Sequence, residues 1–301
     1  MCLRSSWILV LLVVLPALSA EANPPAVPAP QKVQLRWKVP RESPLGYELI
    51  TQQVAPGRGT LRLDLSELKK SGLPVKQRQS IYELQTPSKA AMAAVLSAKP
   101  SGELSAKVVV TRVEVPEKKR PSKKDRELAQ AMKQMEGTVR LRGSLTDWGF
   151  VTSDLKREQR NLLALLFELP SKPVAVGDTW THSADLVKMG ANWEGESESL
   201  NQVQLVSLEK EAEGRTVARI DFTIAERQDG RFSDRRMKKD LPAMMEMFFV
   251  GRGEFLVEQG RWRRLAGRLT TRATGVVKTD SEQQLTLTPL DAIPPQVLAA
   301  E

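Results

Sequence analysis

Apolar residues recur at every second position along much of this chain, the period of a half-buried β-strand. Val33, Leu35 and Trp37 start the pattern, and Tyr47 and Leu49 continue it. A further run covers Thr60 to Leu65, with Pro56-Gly57-Arg58-Gly59 as the connector before it. Leu104 to Val115 is β-branched and reads as the clearest strand of the first half. Thr138 to Leu145 reads as a strand with Val139, Leu141 and Leu145 on one face, followed by an Asp147-Trp148-Gly149 turn. Ser199 to Leu208 and Arg215 to Ile224 alternate on either side of Glu213-Gly214, which predicts a hairpin. Met244 to Val257, Trp262 to Lys278 and Glu282 to Thr288 supply the last strands. In Met244 to Val257, Met245, Met247 and Phe249 share one parity, and Gly251 and Gly253 are candidates for a bulge or a bend.

Three stretches break the alternation towards helix. Lys89 to Ala98, KAAMAAVLSA, has strong helix-forming composition, with Ser88 in place to cap it. Leu128 to Met135 reads as a short helix ended by Gly137. Leu162 to Leu169 is apolar nearly all round, which predicts a buried helix; it is too short to cross a bilayer. Pro170 and Pro173 stop it, and Gly177-Asp178 turns the chain into a strand starting at Trp180. Gln77 to Leu84 suits either class. Glu117 to Glu127, EKKRPSKKDRE, and Arg227 to Asp240, RQDGRFSDRRMKKD, read as polar, basic loops. Long turn-linked strands with few helices predict an α+β fold of mostly antiparallel β: a curved sheet or half-open barrel with a few helices on its concave side.

The first 22 residues change the picture. Arg4, the apolar run Trp7 to Leu15, Pro16 and Ala20-Glu21-Ala22 form a secretory signal pattern, with cleavage after Ala20 or Ala22. Asn23 to Pro30 follows as a Pro/Ala tether. Residues 31–295 are then expected as one β-rich domain, divisible into 31–116 and 137–295 around the connector 117–136, with a frayed tail at 296–301. Cys2 is the only cysteine and lies before the apolar run. The exported chain is therefore expected to lack disulfides, lipoprotein acylation and thiol chemistry. A disulfide-free export product of this size suits a bacterial periplasm or exterior. The net charge of +9 and pI of about 9.7 favour anionic partners, among them a membrane surface.

Candidate chemistry is sparse. His182 is the only histidine, in TWTHSADL beside Ser183 and near Asp185, and no G-x-S-x-G elbow accompanies it. On a strand, His182 and Ser183 would point to opposite faces. One histidine and no exported cysteine exclude the usual zinc sets. Glu194, Glu196 and Glu198 would share a strand face, without the Asp/Gly loop of a calcium site. Gly251-Arg252-Gly253 lacks the rest of a dinucleotide loop, and no Walker pattern is present. The basic residues rarely interleave with aromatics, which together with export argues against nucleic acid. No metal, cofactor or catalytic set is expected.

The segment Leu169 to Trp180 reads LPxxPVxVGDTW, and Gly251 to Arg261 carries GxGxF and then Gly-Arg. Over Gly137 to Leu290 these motifs resemble a family of uncharacterised exported bacterial domains of unknown function. That family is similar in architecture to periplasmic lipoprotein carriers, half-open antiparallel barrels with helices plugging the concave side. The resemblance implies apolar cargo. The expectation is a non-enzymatic cell-envelope protein holding a lipid or acyl chain against Leu162, Leu166, Phe167, Trp180, Met245, Met247 and Phe249. Lys118, Lys119, Arg120, Lys123 and Lys124 would meet anionic groups. The alternative is a protein-binding module of an envelope assembly that uses those basic residues. A hydrolase with a dispersed site around His182 ranks third.

Overall fold

Strands with apolar residues on one face must share a sheet, and here they share a single open one. The structure, a computed structural model, describes residues 31–54, 60–63, 83–85, 87–115, 120–187, 193–233, 239–275 and 277–300. The signal pattern and tether lie outside them, as do most of Gln77 to Leu84 and the connector at Pro56. In chain order the elements are β1 (Leu45–Gln53), β2 (Thr60–Leu63), β3 (Glu83–Gln85), β4 (Lys89–Ala98), β5 (Leu104–Glu114) and α1 (Lys123–Lys133). Then come β6 (Val139–Leu145), α2 (Arg157–Phe167), β7 (Thr179–Trp180), β8 (Trp193–Lys210) and β9 (Thr216–Phe232). The chain closes with β10 (Leu241–Leu256), β11 (Arg261–Gly275), β12 (Val277–Pro289) and α3 (Pro295–Ala299).

The strand order is β6-β5-β4-β1-β12-β11-β10-β9-β8-β7, all antiparallel, with β2 and β3 attached beside β12. Two meanders, β4 to β6 and β8 to β12, are joined by β1, which pairs with β4 on one side and β12 on the other. One face carries the core: Tyr47 and Leu49 of β1, Leu96 of β4, Val108 of β5, Phe222 of β9, Phe255 of β10 and Trp262 of β11 belong to one cluster. Helix α2 adds Leu163, Ala164, Leu166 and Phe167 to the same cluster, all at 0% exposure.

The C-terminus of α2 is buried, so its last carbonyls need donors from outside the helix. Two tryptophans supply them. Trp262 Nε1 donates to the Leu166 carbonyl at 2.7 Å and Trp37 Nε1 to the Phe167 carbonyl at 2.7 Å. Trp37 meets Tyr47, Phe167, Phe255 and Trp262 edge to face or near it, at centroid distances of 5.5–6.3 Å. Glycines make room for these rings. A Cβ on Gly253 would stand 2.6 Å from the Trp262 ring, and one on Gly267 2.6 Å from Phe249. Gly251 and Gly253 thus leave space for aromatics, and the bulge itself lies one residue on, between Glu254 and Phe255.

Several expectations are corrected. Lys89 to Ala98 is β4, not a helix, and Ser88 Oγ donates to the Glu114 carbonyl instead of capping. Ala94 and Leu96 face the main core, while Ala93 and Val95 face a second cluster with Val109 and Val297. A strand buried on both sides loses its alternation, and tertiary burial overrides alanine's helical preference. Val139 packs with that second cluster and Leu141 with the first, because Arg140 is an extra residue opposite Val108/Val109 and inverts the phase. Lys123 begins a helix within the expected basic loop, because Ser122 and Asp125 form a capping box. Arg227 to Phe232 is strand, paired with both β8 and β10 although polar on both faces. Trp262 to Lys278 is two strands, since Gly275 ends β11 at φ +90°. Val33 to Trp37 keeps its alternation, with Leu35 and Trp37 buried, but crosses outside the main ladder. The tail is docked, not frayed: Val297 of α3 is fully buried.

Trp262→Phe and Trp37→Phe each leave a buried helix carbonyl without a donor. Urea titration should show each losing about 2–4 kcal/mol, against less than about 0.5 kcal/mol for Val250→Thr on the exposed face. A loss below about 1 kcal/mol for both tryptophans would remove these bonds from the account of stability.

Candidate functional site

Between β7 and β8, residues 181–187 run in extended form without a ladder partner. His182, Ala184 and Leu186 point inward and Ser183 and Asp185 outward. Backbone groups at such a place require partners, and side chains provide them. Asn161 of α2 donates from Nδ2 to the Asp185 carbonyl and accepts from the Asp185 N–H at 3.0 Å. Asn201 of β8 accepts from the His182 N–H at 2.8 Å and donates to its carbonyl at 2.7 Å. Glu226 accepts from the Val187 N–H at 2.7 Å, and Gln228 donates to the Val187 carbonyl at 3.0 Å. The segment is a strap bound to a helix on one side and the sheet on the other.

At its centre lies a polar cluster. Glu168, the residue after α2, is 6% exposed and accepts from both the N–H and the Oγ of Ser183. His182 Nδ1 is 3.9 Å from Glu168 Oε2 and accepts, at 3.4 Å, from the Ala184 N–H. The imidazole proton is thereby assigned to Nε2, which is buried and without a partner. Burial lowers the His182 pKa to about 4, against a smaller opposite pull from the Ala164 carbonyl. Burial also raises the Glu168 pKa, and the Ser183 hydrogen bonds oppose that. Ser183 Oγ gives its proton to Glu168 and not to the imidazole. The order of a serine–histidine–carboxylate relay is therefore not met. What the cluster does is clamp the strap to α2.

The apolar residues singled out by their pattern divide in two. Leu166, Phe167 and Phe249 are interior packing, at 1% exposure or less. Leu162, Trp180, Met245 and Met247 are partly exposed and border the same core. Met247 lies between Glu226 and Thr271, and Met245 between Gln228 and Ala273, so the methionines adjoin the residues holding Val187. The indole N–H of Trp180 is buried without a partner. Of the basic set, Lys118 and Lys119 lie outside the described residues. Arg120 is exposed, Lys123 is exposed and 3.8 Å from Glu127, and Lys124 follows it in α1. Glu194, Glu196 and Glu198 do share a strand face, opposite Arg231, Asp229 and Arg227; Arg231 lies 3.7 Å from Glu194. Among the described residues no cluster of three or more metal-ligating side chains occurs, and no helix is long and apolar enough to cross a membrane.

Sequence reasoning passed over Asn161, Glu168, Asn201 and Glu226. A faint signal existed for two of them, since Asn161 and Glu168 are the polar residues flanking an otherwise apolar run. No protein-family model matches this chain, and no curated protein does.

Because the folded pKa of His182 lies below its ordinary value of 6.5, the unfolded chain binds the extra proton between pH 6.5 and about 4. Its contribution to stability is full above pH 6.5 and is lost as pH falls through that window. Glu168, shifted upward, acts with the opposite sign. Urea titrations of wild type and His182→Gln across pH 4–7 should therefore differ in slope, wild type losing up to about 3 kcal/mol more on acidification. Parallel slopes would show that the imidazole is not sealed from protons.

Proposed function

We propose that this is a non-enzymatic cell-envelope protein, exported by its N-terminal signal, that holds an acyl chain or similar apolar ligand against one face of its sheet. The observation that carries the reading is the Trp180 indole N–H, buried and unpartnered, at the edge of a core that Leu162, Met245 and Met247 also border while partly exposed. A donor left without an acceptor costs free energy unless something completes it. An ester or amide carbonyl at the head of an acyl chain would do so while its chain covers the methionines, whose thioethers adapt to irregular partners. The open sheet, with helix α2 as its inner packing, supports the half-open carrier architecture and the resemblance drawn from LPxxPVxVGDTW. Arg120 and the amino-terminal turn of α1 would face anionic head groups.

Native mass spectrometry of protein recovered from an exported fraction should show co-purified acyl lipid. Trp180→Phe and Met247→Glu should each reduce retention of a fluorescent acyl probe by about tenfold, the scale of one hydrogen bond or one buried charge. A clean apo mass, with no uptake of the probe by wild type, would overturn the reading.

A further inference from the structure

At the opposite end of β1, away from the strap, a cleft of about 350 Å³ opens between the start of β1, the end of β12 and the C-terminal tail. It is at the lower end of the size range of small-molecule sites. Leu45, Leu290, Ile293 and Leu298 give it apolar walls. Ile293 lies directly on Gly46, where a Cβ would collide with it, and the Leu290 N–H donates to the Gly46 carbonyl at 2.9 Å. The tail wall is held in place. Lys107 Nζ donates to the Leu298 carbonyl at 2.9 Å, Arg142 Nη2 to the Ala300 carbonyl at 2.6 Å, and Val297 is fully buried. Leu298 is consequently fixed over the cleft while 51% exposed.

Two donors stand at this cleft without acceptors to match. Arg261, half-buried, bonds through Nε to Gln259 at 2.8 Å and forms no ion pair among the described residues. Most arginines of β9 to β11 differ: Arg219, Arg252, Arg263, Arg268 and Arg272 all face carboxylates. Tyr47 also lines the cleft and is 1% exposed, and its hydroxyl has no hydrogen-bond partner. Burial raises the tyrosine pKa strongly, with the Trp262 backbone and the Arg261 charge opposing. The hydroxyl therefore stays protonated and able to donate.

We propose that this cleft binds a small aliphatic monocarboxylate, its anion held by Arg261 and Tyr47 and its alkyl body lying along Leu290, Ile293 and Leu298. A guanidinium matches a carboxylate in geometry and charge. Asp291, exposed at the same cleft, weighs against dianions such as phosphate esters and favours a single charge on an apolar body.

The test is calorimetric titration of the purified full chain with octanoate, against octylammonium as the charge-reversed control. Octanoate should bind saturably and octylammonium should not. Arg261→Gln should weaken octanoate by at least about tenfold, as expected for loss of a charge-assisted pair. Tyr47→Phe should weaken it several-fold, and Asp291→Asn should tighten it. Leu298→Glu, at an exposed position that does not threaten folding, should abolish binding by placing a second carboxylate over the cleft. Trp180→Phe should leave octanoate affinity unchanged, which separates this site from the acyl-binding face proposed above. Equal binding of octanoate and octylammonium, no binding of octanoate, or affinity unmoved by both Arg261→Gln and Leu298→Glu would overturn the proposal.

Discussion

Two indole N–H groups reaching the last carbonyls of one buried helix hold this fold to a single arrangement. Helix α2 ends inside the protein, where water cannot satisfy its C-terminal carbonyls. Trp37 and Trp262 come from opposite ends of the chain and donate to consecutive residues, Phe167 and Leu166. Hydrophobic burial alone would let the helix slide or rotate over the sheet, since it is non-directional. The indole bonds have direction, and each belongs to a ring packed edge to face against its neighbours. This also explains the glycines in β10 and β11. Gly253 and Gly267 are where the sheet gives up side chains so that Trp262 and Phe249 can lie across the strands.

The same demand for backbone partners shapes the strap. Where the chain leaves β7, hydrogen bonding passes from backbone ladders to Asn161, Asn201, Glu168, Glu226 and Gln228. Two of these are asparagines, each bonding both the N–H and the carbonyl of one residue, as a neighbouring strand would. The strap can then bury His182, Ala184 and Leu186 without belonging to the sheet. The consequence is a buried imidazole and a buried carboxylate with opposite pKa shifts, held together because the strap requires both.

How much of this is legible in the chain follows from where each signal resides. Strands with one wet face, such as β1 and the inner half of β9, show their period plainly. Strand β4 hides it, because Val95 and Leu96 are both buried on opposite sides. The outer half of β9 hides it for the reverse reason: Arg227 to Arg231 is polar on both faces and is held by ladders and cross-strand charge. Met245, Met247 and Trp180 are visible as apolar residues of the right parity. Whether such a residue is sealed like Phe249 or left at a border depends on how far the core extends, which no local pattern encodes. The cleft at Tyr47 and Arg261 is less legible still. Its donors lie more than two hundred positions apart, and each is ordinary in its own segment.

Charge completes the division of the molecule. Along β8 to β12, arginines and carboxylates face each other across neighbouring strands: Arg252 with Asp221, Arg219 with Glu209, Arg268 with Glu282. Exposed pairs of this kind contribute little stability singly. Their effect is to mark a surface that stays in water, because desolvating several ion pairs at once would cost more than an apolar contact could return. An apolar ligand of the kind proposed would meet the lowest desolvation cost where this pairing lapses. Trp180 and Tyr47 each have a buried donor lacking a partner among the described residues, Trp180 being itself partly exposed and Tyr47 lining a cleft with the exposed Leu298. Satisfied ion pairs on one side and unsatisfied donors on the other are the physical basis for reading this sheet as a surface that holds ligands.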